Sequence, residues 1–153
     1  MPGDKLGHTN LVEHAIPLKD ETLIHSKQYR HAPIHREVIK EDIEKKLRDN
    51  IIEPSASPMS SPIIIVPKKS DSQGNKKWRL VIDFRKLNAQ TINDSYPLPN
   101  IADILDQLGD SKYFSTFDLA SGYHQVLVKP EDRWKTAFST PNGHGNSLKC
   151  QWV

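Results

Sequence analysis

The sequence predicts an α+β fold, in which helices and strands occupy separate stretches of the chain. Apolar residues recur at helical spacing in residues 35–50 and 101–108. A run of β-branched residues at 63–66 and a second predicted strand at 78–84 flank a polar loop that contains a glycine, and this pattern predicts a β-hairpin. The length of 153 residues corresponds to one domain.

The composition predicts a modest hydrophobic core. Apolar residues make up 36% of the chain, below the usual ~45–50% of globular domains, and the mean hydropathy is −0.62. No apolar run approaches the ~18 residues of a membrane span, so a membrane partner is not expected. The single cysteine, Cys150, excludes an internal disulfide and fits a reducing compartment. The oligomeric state is left open.

Two segments have irregular composition. Residues 1–34 show no sustained period, and we expect an extended N-terminal arm. Its scattered histidines lack the spacing of a zinc site. Residues 53–62 contain three prolines and four serines, a composition typical of a linker.

The two helical segments differ in their signals. In residues 35–50, Ile39, Ile43 and Leu47 recur four residues apart, which predicts a helix that packs by one face. Residues 101–108 follow Asn100, a residue type that commonly caps the first turn of a helix.

A basic block covers the predicted hairpin. Residues 66–90 contain two aspartates and seven lysines or arginines, a net charge of +5. These cations are Lys68, Lys69, Lys76, Lys77, Arg79, Arg85 and Lys86. Such a block with an aromatic residue, Trp78, suits phosphate or nucleic acid, but a solvated hairpin rim would have the same composition.

A strand that ends in a carboxylate is predicted at residues 114–118. This apolar and aromatic run ends at Asp118, and a turn of small residues and then Tyr123 follow. The pattern fits either an acid presented to a metal and a phosphate or a buried strand capped by a turn-forming aspartate. A further hairpin is expected from strands at residues 124–128 and 134–139.

Three motifs in this order resemble one protein family. The first is PSASPMSSP at 54–62, the second is WRLVIDFRKLN at 78–88, and the third is FDLASGYHQV at 117–126 followed by KTAF at 135–138. Together they strongly resemble the reverse transcriptase of long-terminal-repeat retrotransposons of the Ty3/gypsy type. The resemblance extends over residues 14–144.

The resemblance implies an incomplete right-hand polymerase fold and a set of site residues. Asp118 matches the first catalytic aspartate, a ligand of Mg²⁺ (or Mn²⁺), and the carbonyl of Leu119 would also face the metal. Tyr123 matches the aromatic that stacks under the sugar and excludes a ribose 2′-OH. Lys68 and Arg79 match the residues that hold the triphosphate of an incoming dNTP.

Other positions and the partners also follow from the resemblance. Asp83 and Arg85 match structural or template-side positions, and Trp78 is expected to have a nucleic-acid or a structural role. The partners would be an RNA or DNA template–primer and dNTP. The location would be intracellular, in a cytoplasmic particle or the nucleus.

The resemblance also divides the chain. Residues 35–92 would form the fingers, 93–125 the start of the palm and 126–144 a return to the fingers. The family's second and third aspartates, in a Tyr-x-Asp-Asp turn, are not found in the 153 residues, so we expect this chain alone to be inactive. A non-enzymatic nucleic-acid-binding remnant and a decayed product without a fold are the alternatives.

The last residues depart from the family pattern. Residues 145–153 lack the aromatic, Glu-Phe and Met-Pro continuation that the resemblance leads us to expect. Codons can be chosen for which a shifted frame encodes that continuation. This predicts a tail translated out of frame, through a frameshift in a decayed element or an error in the gene model, which the DNA downstream of the His144 codon tests.

Overall fold

A computed structural model describes residues 7–68, 77–109 and 111–151. The chain begins with a two-residue strand β1 (Glu13–His14) in an otherwise extended arm. The remaining elements follow in the order α1 (Pro33–Arg48), β2 (Ile52–Pro54), β3 (Ile63–Pro67), β4 (Trp78–Ile82), α2 (Arg85–Gln90), α3 (Ile101–Leu108), a first 3₁₀ helix (Gly122–Gln125), β5 (Leu127–Val128), a second 3₁₀ helix (Pro130–Thr136), β6 (Phe138–Thr140) and β7 (Gly143–Ser147).

The strands form three small sheets that surround one core. β3 pairs with β4 antiparallel, β7 lies between β2 and β6 in an antiparallel sheet, and β1 pairs with β5 in parallel. The core includes Ile39 of α1, Ile63 and Leu80 of the β3–β4 pair, Leu87 of α2 and Phe138 of β6. Helices and small, mostly antiparallel sheets meet at this core, and the predicted α+β class is confirmed.

The helix α1 and the β3–β4 hairpin agree with the sequence prediction. α1 begins two residues before the predicted start, with Pro33 at its first turn. Because proline has no N–H to lose there, that position favours it. Asn50, just past the helix, has a φ of 50°, a left-handed conformation that asparagine tolerates better than most residues.

The expected linker at residues 53–62 is instead packed. Met59 and Ser60 are buried, and the Oγ atoms of Ser60 and Ser139 lie 2.7 Å apart. His144 Nε2 lies 3.0 Å from the Met59 carbonyl, and its Nδ1 lies 2.8 Å from Ser139 Oγ. Since a carbonyl only accepts, Nε2 donates to the Met59 carbonyl. These bonds fix the segment against β6 and β7.

Two predicted strand arrangements are wrong. Residues 114–118 form no strand, and all of them are exposed. A strand needs a neighbour for its N–H and C=O groups, and no strand of the described chain pairs with this stretch. Residues 124–128 and 134–139 do not pair with each other either: β5 pairs with β1, and β6 pairs with β7.

Over its described part, residues 7–32, the N-terminal arm is mostly extended, and backbone hydrogen bonds between Thr9 and Ser26 bind it to other segments. It crosses three separate segments of the chain: residues 125–129, 89–92 and 59–61. The bonds run from Thr9 N to Gln125 O, Lys129 N to His14 O, Ile92 N to Pro17 O, Lys19 N to Gln90 O and Ser26 N to Ser60 O, at 2.8–3.0 Å. The arm therefore acts as a strap that joins parts of the fold remote in sequence.

A buried ion pair fastens the middle of this arm. Asp132 Oδ2 accepts the N–H of Ile16 at 2.7 Å, and Lys135 Nζ donates to the carbonyl of Ile16 at 2.8 Å. Lys135 is also ion-paired with Asp132. Burial alone would raise the pKa of Asp132, but the hydrogen bonds from Lys135 and Ile16 outweigh it, and the pKa is lowered.

No helix of the described ranges combines the length and apolarity that a membrane span requires. Among those residues the longest helix is α1, with 16 residues, and its outer faces carry many charges.

We predict that Asp132→Asn lowers the free energy of unfolding by about 1.5–3 kcal/mol, because two charge-assisted bonds are weakened. Since the folded-state pKa of Asp132 is depressed, its stabilisation is present above the unfolded value near 4 and is lost as pH falls through the folded value. Urea unfolding between pH 7 and pH 3 checks both points. Glu131→Gln, at the exposed neighbour, is the matched control; equal effects of the two changes would contradict the prediction.

Candidate functional site

The register of β3 against β4 places three cations on one face of the hairpin. Val66 lies opposite Arg79, and the N–H of Lys68 donates to the Lys77 carbonyl at 2.7 Å. Because side chains alternate along a strand, Lys68, Lys77 and Arg79 share one face, opposite to the core face. All three are exposed. We call them the basic face.

Lys77 was not singled out as a site residue in the sequence. The alternation of the strand could have found it, because it stands two residues before Arg79. The lysines Lys69 and Lys76 of the basic block lie outside the described residues.

Trp78 lies on the other face of the hairpin from the three cations. Its ring packs against His35 of α1, with the ring centroids 4.5 Å apart and the planes at 59°. This contact joins the hairpin to α1 and favours the structural role among the two that the sequence left open.

Asp83 and Arg85 form a close pair at the end of β4. Arg85 donates to Asp83 through Nε at 2.8 Å and Nη2 at 2.7 Å, and Asp83 Oδ1 accepts the backbone N–H of Arg85 at 3.1 Å. Tyr29 Oη lies 3.5 Å from Asp83 Oδ2. The hydrogen bonds from Arg85 lower the pKa of Asp83 despite its burial, and Asp83 in turn raises the pKa of Arg85.

The two members of this pair differ in exposure. Asp83 is 8% exposed, whereas Arg85 is 76% exposed at the side chain. The guanidinium is therefore held in place by a buried carboxylate and still faces solvent, where it could meet a further anion through its free edge.

Asp118 lies in an exposed, irregular stretch. Its neighbours Phe117 and Leu119 are 90% and 68% exposed. The Leu119 carbonyl accepts the N–H of Gly122 at 3.2 Å, which closes a turn just after the carboxylate. A carbonyl oxygen has a second lone pair, so this bond leaves it able to face a cation.

The turn that follows Asp118 leads directly to Tyr123. Ser121 has φ 50° and ψ 45°, a left-handed conformation, and its carbonyl accepts the N–H of His124 at 2.9 Å. Gln125 Nε2 donates to the Ala120 carbonyl at 3.1 Å. The first 3₁₀ helix then presents Tyr123, which is 65% exposed.

The fold thus joins some predicted site residues and not others. Lys68 and Arg79 share the basic face, Asp83 and Arg85 are paired, and a turn of four residues links Asp118 to Tyr123. Among the residues that the structure describes, no three His, Cys, Asp or Glu side chains are grouped to hold a metal ion. The described carboxylates therefore do not by themselves fit a two-metal centre, which needs several oxygen ligands.

A family model described as "Reverse transcriptase (RNA-dependent DNA polymerase)" matches residues 66–152. The match covers the β3–β4 hairpin from Val66 onward, the stretch with Asp118 and the described part of residues 145–153.

Curated relatives resemble nearly the whole chain. The Retrovirus-related Pol polyprotein from transposon 297 of Drosophila melanogaster is 44% identical over 96% of this chain, and that from transposon 412 is 47% identical over 88%. The Enzymatic polyprotein of Cauliflower mosaic virus (strain CM-1841) is 37% identical over 85%. The chain spans only 14%, 11% and 19% of these relatives' lengths.

Solved structures resemble the fold. The Prototype Foamy Virus Protease-Reverse Transcriptase matches 95% of this chain with a TM-score of 0.77 at 29% identity, and the chain covers 19% of that protein. The foamy viral protease-reverse transcriptase in complex with RNA/DNA hybrid matches with a TM-score of 0.76 at 25% identity, again over 95% of this chain and 19% of that one. A further structure is in complex with dsDNA.

We predict that Ser121→Gly keeps the turn beside Asp118, whereas Ser121→Val opposes it by about 1–2 kcal/mol, because a β-branched residue resists the left-handed conformation. The His124 amide donates to the Ser121 carbonyl, so its rate of hydrogen exchange measures how stably the turn is formed. Ser111→Val is the control, at an exposed serine outside the left-handed region. Equal exchange in both valine variants would contradict the prediction.

We predict that Arg85→Gln raises the pKa of Asp83, because the buried carboxylate loses the forked donor that lowers it. The stabilisation that this carboxylate provides above pH ~4 then declines from a higher pH than in the parent protein. NMR titration of the Asp83 carboxyl carbon measures the shift. Lys86→Gln, an exposed neighbour of Arg85, is the control and should leave the titration unchanged.

Proposed function

This chain belongs to the reverse transcriptase (RNA-dependent DNA polymerase) family, and we propose that it holds template–primer and incoming dNTP for a Ty3/gypsy-type retrotransposon polymerase. Its fold is an incomplete right-hand polymerase fold. The chain spans 14% of the transposon 297 polyprotein. Polymerase activity, which would belong to a whole polyprotein, is therefore a proposal for this chain.

The observation that carries the proposal is the basic face. Lys68, Lys77 and Arg79 lie together on a two-stranded hairpin whose other face is anchored in the core by Leu80 and Ile82. Lysine ammonium groups act as point charges on phosphate, and the planar guanidinium of Arg79 can bind phosphate through two donors. A cationic surface of this kind suits a triphosphate or a nucleic-acid backbone. The foamy viral relatives bound to RNA/DNA hybrid and dsDNA support this proposal.

The remaining roles are proposed residue by residue. Asp118 would bind the divalent metal, with the Leu119 carbonyl beside it, and Tyr123 would form the flat wall under the sugar. Asp83 would hold Arg85 toward the template side.

Catalysis would need more than this chain. Mg²⁺ or Mn²⁺ would supply charge stabilisation for in-line displacement at phosphorus, and two such ions require carboxylates additional to Asp118. The described residues do not offer such a group. We therefore propose that the chain binds nucleic acid and nucleotide but does not transfer a nucleotide alone.

The division of the chain remains a proposal as well. Residues 35–92 would be fingers, 93–125 the start of the palm and 126–144 a return to the fingers. Gly145–Ser147 lies within β7, where Asn146 and Ser147 are buried. The reading frame of residues 145–153 stays a prediction, and the nucleotide sequence beyond the His144 codon tests it.

A non-enzymatic nucleic-acid-binding module is the second candidate, and the same basic face favours it. The two candidates differ in whether a dNTP is bound. A module that binds only the backbone should bind duplex equally with and without Mg²⁺–dNTP, whereas the polymerase site should show saturable dNTP binding that Arg79→Ala weakens.

We predict salt-sensitive binding of an RNA/DNA hybrid, with Lys68→Ala and Arg79→Ala each lowering the magnitude of the salt slope by about 1. Fluorescence anisotropy between 50 mM and 200 mM salt measures it. Lys40→Ala, at an exposed lysine of α1 that is not part of the basic face, is the matched control. An unchanged salt slope in both hairpin variants would contradict the proposal that the basic face binds the nucleic-acid backbone.

We predict no primer extension by the purified chain with Mg²⁺ or Mn²⁺, because Asp118 lacks carboxylate partners in the described structure. Extension of a labelled primer on an RNA template, with a complete reverse transcriptase as positive control, measures this. Extension that disappears in Asp118→Asn would show instead that the chain completes a metal site.

A further inference from the structure

A cavity of about 860 Å³ lies away from the basic face, between the N-terminal arm, α2 and the last described residues. Its floor is apolar: Ile16, Phe84, Leu87 and Val128 line it, and each is 6% exposed or less. The volume falls in the ~300–1,000 Å³ range of small-molecule sites, which are mostly apolar with a few polar groups. Segments remote in sequence form its wall, so the packing of the described residues against one another creates it.

The charge of this wall has the opposite sign to that of the hairpin. Glu13 and Asp94 line the cavity and are exposed, and the described lining residues include no lysine or arginine. His14 also lines it; burial lowers its pKa, against an opposing effect of Asp132, so its ring is neutral at pH 7. Two carboxylates without a cationic partner in the wall disfavour phosphates and other anions.

The neighbouring lysines do not reverse this balance. Lys135 donates to the Ile16 carbonyl and is ion-paired with Asp132, and Lys19 Nζ donates to the Ala89 carbonyl at 2.9 Å. Lys19 is therefore bound outside the described lining, and the charge of Lys135, which reaches the lining at the Ile16 carbonyl, is compensated by Asp132.

We propose that this cavity binds a small organic cation with an apolar aromatic body, the rings on the floor and the ammonium group toward Glu13 and Asp94. Burial of the rings supplies the attraction and the carboxylates supply the selection by charge. This site is separate from the proposed nucleotide site and does not depend on it.

A matched series of three probes tests the selection by charge. 9-Anthracenemethylamine, 9-anthracenemethanol and 9-anthracenecarboxylate share one ring system and differ in charge. We expect the amine to bind most tightly to the full chain and the carboxylate most weakly, measured by ligand fluorescence. A carboxylate that binds as tightly as the amine, or no saturable binding of the amine up to millimolar concentration, would overturn the proposal.

Two substitutions test the carboxylates. Glu13→Gln and Asp94→Asn should each weaken amine binding about 1.5- to 5-fold, the size expected for one exposed ion pair, and leave the alcohol unchanged. Glu21→Gln, an exposed glutamate of the arm outside the lining, is the matched control. Loss of alcohol and amine binding alike, or an unchanged amine affinity in both variants, would count against the proposal. The comparison of probes on the unmodified chain stands even if a variant fails to fold.

The position of the probe must also be measured, because α3 exposes a second apolar surface. Ile101, Ile104, Leu105 and Leu108 are 41–74% exposed, and Asp103 and Asp106 lie on the same helix. NMR shift changes should centre on Ile16, Leu87 and Val128. Shift changes that centre on α3 would show that the probe binds the exposed apolar surface of that helix, and they would overturn the cavity assignment.

Discussion

The antiparallel register of β3 against β4 determines where the charged side chains of this molecule lie. Ile63 pairs with Ile82 and Val66 with Arg79, so one face of the hairpin enters the core while the other carries Lys68 and Arg79. A shift of one residue would exchange the two faces. The hydrophobic burial of Ile63, Leu80 and Ile82 therefore also fixes the positions of the phosphate-binding candidates.

The same ladder sets the direction of the chain after β4. Asp83 donates its backbone N–H to the Pro62 carbonyl at 2.8 Å, one position beyond the last paired residue of the strand. Its side chain is thereby held in a nearly buried position, where the guanidinium of Arg85 compensates the cost of burying a carboxylate. The Asp83–Arg85 arrangement thus provides both a structural ion pair and a cation that faces solvent.

Local patterns predicted the elements that depend on local interactions. The i, i+4 spacing of Ile39, Ile43 and Leu47 predicted α1, and the β-branched run before Pro67 predicted β3. The wrong expectations at residues 114–118 and 124–139 share a cause: an apolar run cannot reveal which strand it pairs with. Here β5 pairs with β1 of the arm and β6 pairs with β7. Residues 114–118 pair with no strand among those described.

The arm and the serine-rich segment were unpredictable for a different reason. Both are held mainly by backbone groups, hydroxyls and one ion pair, and such bonds leave little periodicity in the sequence. The basic face was predictable in composition, since Arg79 stood in a recognised motif and Lys68 in the basic block, but the inclusion of Lys77 and the opposite placement of Trp78 required the register.

The two halves of the candidate site differ in what fixes them. In the basic face, Arg79 lies on β4, and Lys68 and Lys77 directly adjoin the ends of β3 and β4, so the packing of these strands on the core positions all three. Asp118 follows α3, an eight-residue helix whose apolar side chains are all more than 40% exposed. A helix this short is marginal in water without tertiary contacts, and the described chain does not cover it. The packing of the described residues therefore fixes the proposed phosphate-binding face, whereas it leaves α3 and the stretch that carries Asp118 exposed.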